Sequence, residues 1–181
     1  DLVLAAALVQ ALYEAGSEPE LPFAPIIASG PNGASPHHFP GDRELARGDL
    51  LIIDWGASYH GYFSDITRTF VVAAEPTQEQ LAAHLAVRDA ARAARAMAAP
   101  GIPAGGVDAA ARDSLSRAGF GEFFVHRTGH GLGLEVHEEP YISQGATVEL
   151  EPGMVFTVEP GVYIPSLGGV RIEDDLLVTA D

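Results

Sequence analysis

The chain contains no cysteine, which removes disulfides, thiolate metal ligands and cysteine nucleophiles together. Any metal it holds must therefore be bound by oxygen and imidazole. Basic residues are scarce too, with 10 Lys and Arg against 25 Asp and Glu and a formal net charge of −15. A surface of that sign repels phosphates, so no nucleic acid and no anionic membrane is expected as a partner. Most of the acid excess reads as solvated surface, although a carboxylate cluster can also hold cations. Long apolar runs are missing as well: residues 2–9 are too short a run to cross a bilayer and lack a basic flank. The expectation is a cytoplasmic protein. No stretch has linker composition, and 181 residues that are 47% hydrophobic suffice for one domain with a sizeable core. Beginning at Asp1 and stopping just after an apolar strand-like run, the chain reads as an excised or truncated piece.

What is present alternates between helical and strand signals. Residues 2–15 are expected to be helical, with Asp1 as the cap and Gly16 at the left-handed stop. A longer helix is expected after Thr77. There Thr77 and Gln80 form a capping box, the alanines and arginines have high helix propensity, and Pro100-Gly101 ends the run. That helix reads as scaffold, with His84 on its surface. A third is expected over about 107–118, closing at Gly119. Strand signals cover 25–28, 49–57, 62–72, 123–126, 154–164 and 170–178. The order is that of a mixed α+β domain.

Two hairpins carry the chemistry. The first runs Ile52-Ile53-Asp54-Trp55-Gly56, turns at Tyr59-His60-Gly61 with His60 at the tip, and returns through Ser64-Asp65-Ile66-Thr67. A turn centred near His60 puts Asp54 opposite Asp65, and like charges facing across a sheet are destabilising. Four apolar residues precede Asp54, so it enters a core, where a carboxylate pair must share a proton or hold a cation. The competing reading gives one Asp to the turn in another register, and this hairpin alone does not decide. In the second hairpin, a turn centred near Ser166 puts Glu159 opposite Glu173, with Pro160 marking an edge or an irregularity. The same device used twice suggests two halves meeting around one oxygen-rich cage.

Histidine completes the constellation. Residues 126–137 carry His126, His130 and His137 interleaved with Gly129, Gly131 and Gly133. In a regular strand His130 and His137 would point to opposite faces, but the glycines can break that parity and admit a close ligand.

These segments share a further property. The strings Ser29-Gly30-Pro31-Asn32-Gly33-Ala34-Ser35-Pro36-His37, Ile53-Asp54-Trp55-Gly56, Ser64-Asp65-Ile66-Thr67-Arg68-Thr69, Gly129-His130-Gly131, Val158-Glu159-Pro160-Gly161 and Gly169-Val170-Arg171-Ile172-Glu173-Asp174 together resemble the pita-bread metallopeptidases. That family includes methionine aminopeptidase, aminopeptidase P and prolidase. The 169–174 block and the segment leading to His37 are similar to the proline-specific branch. The resemblance spans almost the whole chain and is densest over 26–70 and 124–175.

It implies an α+β fold of two pseudo-symmetric halves, with a curved antiparallel sheet covered by helices. It implies an Xaa-Pro aminopeptidase or Xaa-Pro dipeptidase acting on peptides with proline in second position. Two divalent ions are implied, manganese first and otherwise cobalt, zinc or iron, held by Asp54, Asp65, His130, Glu159 and Glu173, with Asp65 and Glu173 bridging. Glu159 would be the general base and His137 a hydrogen-bonding partner of substrate or developing charge. His37, His126 and Tyr163 are implied as substrate contacts, His37 being preferred over adjacent His38 for its place after Ser35-Pro36. Arg171 shares a strand face with Glu173 and is expected to orient it by an ion pair. Thr67 is expected to hydrogen-bond Asp65. Asp174 and Asp175 read as structural or exposed. Proline-specific members carry an amino-terminal domain that is absent here, so residues 1–181 are expected to be a catalytic domain truncated at that end, and a homodimer is left open. A methionine aminopeptidase and a non-catalytic binding module on the same fold are the alternatives.

Overall fold

The computed structural model describes residues 1–180 and has α+β make-up. The chain runs through helix α1 (Leu2–Glu14) and strands β1 (Ile26–Ser29), β2 (Leu50–Trp55), β3 (Ser58–Tyr59), β4 (Tyr62–Phe63) and β5 (Ile66–Val71). Helices α2 (Gln78–Met97) and α3 (Ala104–Arg117) follow. Strands β6 (Gly129–Gly131), β7 (Glu138–Ile142), β8 (Val155–Val158), β9 (Gly161–Ile164), β10 (Gly168–Arg171) and β11 (Asp174–Leu177) complete the order. All pairings are antiparallel. The first half is the sheet β1-β2-β5, the second is β11-β8-β6-β7, and the ribbon β9-β10 lies between them.

Side chain and backbone stitch the halves together. Thr69 Oγ1 donates to the Arg171 carbonyl at 2.9 Å and accepts its amide at 3.1 Å, while the Glu173 amide reaches the Thr67 carbonyl at 3.2 Å. Close approach also matters where β6 crosses β8. A Cβ on Gly129 would fall 1.9 Å from the Thr157 carbonyl oxygen, so only glycine lets His130 sit at that depth.

Behind the sheets, α2 buries Ala83, Ala86, Val87, Ala90 and Ala94, a spacing of three and four that lines one helix face. Its Thr77–Gln80 capping box is formed in both directions. The small residues bring α2 close to Val107, Ala111 and Leu115 of α3, and both helices cover Leu150, Phe156 and Val158. Leu115, Leu150 and Phe156, all 0% exposed, contribute about 1.5–3 kcal/mol each by burial.

Three expected strands turn out differently. Residues 154–164 break at Glu159-Pro160 into β8 and β9, which belong to different sheets, because proline cannot donate to a ladder. Residues 170–178 break correspondingly at Ile172-Glu173. Residues 123–126 form no strand: the Phe124 and His126 carbonyls are taken by the Arg112 guanidinium, at 3.3 and 2.6 Å.

Candidate metal centre

The two breaks are where the acids sit. On one side of the gap Arg171 pairs with Gly161, and on the other Asp174 pairs with Val158. Glu159 and Glu173 therefore face each other in unbroken register, without ladder hydrogen bonds between them. The first hairpin differs from expectation. Its turn is centred between His60 and Gly61, both with positive φ (51° and 78°), so Tyr59 pairs with Tyr62 and Asp54 with Thr67. Asp65, just before β5, is then the diagonal neighbour of Asp54 on the same face rather than its opposite number.

Asp54, Asp65, His130, Glu159 and Glu173 converge on one cavity of about 540 Å³. His130 fixes its own tautomer by donating from Nδ1 to the Gly131 carbonyl at 3.0 Å, which leaves a lone pair on Nε2. That nitrogen lies 3.6 Å from Asp65 Oδ2 and 3.5 Å from Glu159 Oε1, too long for hydrogen bonds. Asp65, His130 and Glu173 each present one donor atom within 4.8 Å of the others. Asp54 Oδ1 and Asp65 Oδ1 are buried without a hydrogen-bond partner. Such oxygens ask for a cation, and this set of donors fits a divalent one.

Electrostatics points the same way. Burial, reinforced by Asp54, raises the Asp65 carboxyl to about 8. Burial raises Glu159 to about 7 and lifts Glu173, beside Glu159 and Asp65, well above the ordinary range. Four acids with so few cations cannot all ionise without added positive charge. The nearest guanidinium is Arg171, and it is not placed as expected. Its Nη2 donates to Asp54 Oδ2 at 2.5 Å and its Nε to Thr67 Oγ1 at 3.1 Å. Thr67, expected on Asp65, donates instead to Glu173 Oε2 at 2.6 Å. Both corrections arise from contacts between distant parts of the chain: Arg171 reaches Asp54 and Thr67 reaches Glu173.

The histidines sort by position. The His137 ring meets the His130 ring edge to face at 4.2 Å between centroids, and burial lowers its pKa to about 4. His126 donates from Nδ1 to the Arg127 carbonyl at 2.7 Å and accepts the Tyr163 hydroxyl on Nε2 at 2.8 Å. Burial lowers its pKa to about 4, in keeping with a neutral ring. Tyr163, expected to contact substrate, is not among the residues lining the cavity. It stands behind His126, accepts from Arg171 Nη1 at 2.8 Å and has its hydroxyl pushed up to about 12 by burial. His37 and His38 both line the cavity, but His38 turns to Asp1, 3.6 Å away. Asp175, whose pKa burial raises to about 6, accepts the Asp65 amide at 3.2 Å and so braces that residue.

The model of metallopeptidase family M24 matches residues 2–180. The chain belongs to that family. Its likeness to solved M24 structures is high: the prolidase from Pyrococcus furiosus superposes with a TM-score of 0.93 at 46% identity, covering 97% of this chain and 51% of that one. The α+β arrangement is thus the pita-bread fold of M24 peptidases, its two halves related by pseudo-symmetry. Among curated relatives, the Xaa-Pro dipeptidase of P. furiosus is 47% identical over 174 residues, 96% of this chain and 50% of that protein. "Probable dipeptidase PepE" of Mycobacterium tuberculosis is 49% identical over 179 residues, 98% of this chain and 47% of that protein. The chain spans about half the length of the curated relatives it matches.

Membership in M24 brings divalent metal use as a family property, and the Asp65, His130 and Glu173 cluster accords with it. Among the described residues no helix is long and apolar enough to cross a membrane. Sequence reasoning missed the rest of this M24 cavity wall: Phe23, Ala24, Ile26, Phe39 and Arg127. Arg127 alone carried a signal, standing beside His126. The others come from loops and a strand whose side of the sheet only tertiary contacts define.

Proposed function

We propose that residues 1–181 are the catalytic domain of a dinuclear metal-dependent peptidase that cleaves the bond between an amino-terminal residue and proline. The observation that carries this reading is the convergence of Asp54, Asp65, His130, Glu159 and Glu173 on one cavity, with buried carboxylate oxygens of Asp54 and Asp65 left without partners. Those five residues would hold two ions. Manganese suits an oxygen-rich set with a single imidazole, and cobalt, zinc and iron accept the same donors. When bound, such a pair acidifies a water and polarises the scissile carbonyl.

The chain's own groups do the rest. Glu159, whose carboxylate lines the cavity, takes the proton of the attacking water and returns it to the proline nitrogen as the bond breaks. Neutral His137 presents an N–H to the carbonyl oxygen on which charge develops. His37 and His126 border the substrate. Phe23, Ile26 and Phe39 offer an apolar wall to the proline ring, whose tertiary amide brings no N–H in need of an acceptor. Support also comes from the names of relatives, which include Xaa-Pro dipeptidases.

The test is amino-acid release from metal-loaded protein with Xaa-Pro dipeptides, Xaa-Pro tripeptides and Met-Ala peptides. Cleavage restricted to proline in second position is expected. Release of methionine from Met-Ala with Xaa-Pro left intact would instead make the chain a methionine aminopeptidase. Absence of both hydrolysis and bound metal would make it a binding module on the same fold.

A further inference from the structure

One charged pair, with a buried carboxylate and a half-buried guanidinium, has no part in the cavity. Asp108 on α3 is 0% exposed, and Arg112, one turn later, donates from Nε and Nη2 to its two oxygens at 2.7 and 3.2 Å. Desolvation offsets much of the attraction in such a pair, so stability alone is a weak reason for it. Its remaining hydrogen bonds all go to one stretch of chain. Asp108 Oδ1 accepts the amide of Thr128 at 3.1 Å and its hydroxyl at 2.8 Å. Arg112 donates to the carbonyls of Phe124 and His126, and its guanidinium lies 4.4 Å over the Phe124 ring. Between Phe123 and β6 this stretch belongs to no helix or strand, so the pair supplies what a ladder would have supplied.

The stretch leads straight to the reacting groups. Thr128 accepts the Glu159 amide on its carbonyl at 2.7 Å. His126, whose own carbonyl is one of the two anchored, aims its ring at Tyr163.

We propose that Asp108 and Arg112 are positioning residues: they fix residues 124–128, and through them the His126 ring and the Glu159 backbone, at the separation the reaction needs. Neither lines the cavity; both act through Thr128 and the His126 carbonyl. The proposal rests on the reading of that cavity as a peptidase site. Small displacements by groups remote from the chemistry can lower a rate by about a hundredfold.

The test compares Asp108→Asn, Thr128→Val and the double variant with Leu115→Ala, a core truncation on the same helix that removes none of these hydrogen bonds. Metal content, melting temperature, kcat and KM on an Xaa-Pro dipeptide are measured for each, well below every melting point. Asp108→Asn is expected to lower kcat about tenfold or more with metal content kept, and the double variant to be no worse than Asp108→Asn, since both cut one link. Leu115→Ala is expected to melt lower yet keep the wild-type kcat. If kcat follows melting temperature identically in all variants, the pair is merely structural and the proposal falls.

Thr128→Val, which leaves the ion pair intact, keeps the comparison open should Asp108→Asn not fold. A second readout does not need hydrolysis. In labelled metal-free protein, nitrogen-15 signals of the His126 ring should change tautomer pattern or broaden in Asp108→Asn or Thr128→Val but not in Leu115→Ala. An inactive wild type would overturn the peptidase reading, and these ring signals would still decide the clamp: unchanged signals in both variants refute it.

Discussion

The two acid-bearing hairpins solve one problem by different means. In the first, the β2–β5 ladder runs unbroken past Asp54, which faces a threonine, and stops just before Asp65, which is offset diagonally from it. In the second, Glu159 and Glu173 face directly, and the ladder is broken there by Pro160. Charge is compensated unequally as well: Asp54 is hydrogen-bonded by the Arg171 guanidinium, whereas Glu173 is hydrogen-bonded by the neutral Thr67 hydroxyl and Glu159 by the Thr157 hydroxyl, with the His130 ring 3.5 Å away. The lesson is that only Asp54 of the first hairpin has a guanidinium of its own, while Asp65 and both glutamates of the second depend on something added.

Substitutions can break that comparison, beginning with the residue on which both hairpins converge. His130→Ala deletes the imidazole facing Asp65 and Glu159. It should lose bound metal and more than about a thousandfold in kcat/KM, as measured by metal analysis and steady-state kinetics. Next in size, Arg171→Met strands Asp54 in the interior and should remove about 3–5 kcal/mol from the metal-free protein by chemical denaturation. The loss should shrink in metal-loaded protein, where the cation takes over compensation; no loss in the metal-free protein would show that Asp54 has no internal help to lose. His137→Ala should keep most of its metal and lower kcat by about a hundredfold. Loss of metal as complete as in His130→Ala would mean that the segment supplies two ligands.

The smallest effect probes the turn. A side chain on Gly61 would meet open space, so Gly61→Ala is penalised only by its φ of 78° and should cost about 1–2 kcal/mol in thermal or chemical unfolding. No change would argue against the tight turn that offsets the two aspartates.

Legibility followed the range of the determining contacts. The capping box at Thr77, the alanine face of α2 and the Glu159–Glu173 register depend on residues near in sequence or on one turn, and all could be read directly. The first register was misplaced because His60-Gly61 lacks the Asn-Gly signature of a two-residue turn, and shifting its centre by one residue moved Asp65 from opposite Asp54 to diagonal. The partners of Arg171 and Thr67 were exchanged for a different reason: their true partners, Asp54 and Glu173, lie in the other half of the molecule. Residues 123–126 looked like a strand because Phe123-Phe124-Val125 is apolar, and nothing local announced that a helix guanidinium would claim the carbonyls. The donor types of the cavity were legible; the side chains that brace them were not.

Thermal melting of metal-free and manganese-loaded protein across pH tests the central claim, that the acids of both hairpins form one cation site. Asp65 and Glu159 have folded-state values raised to about 8 and about 7 from ordinary values of 3.8 and 4.5. Below about pH 4 these carboxyls are protonated in both folded and unfolded chains, and their burial adds no penalty. As pH rises toward 8 the unfolded chain releases protons that the folded metal-free site must keep, so stability falls through that window. Manganese replaces those protons, and its own binding strengthens as the ligands ionise. The account predicts a metal-free melting temperature that declines between about pH 4 and pH 8 and a metal-loaded one that holds, with the gap widening as pH rises. Two curves that coincide at every pH, with manganese present in excess, would contradict it.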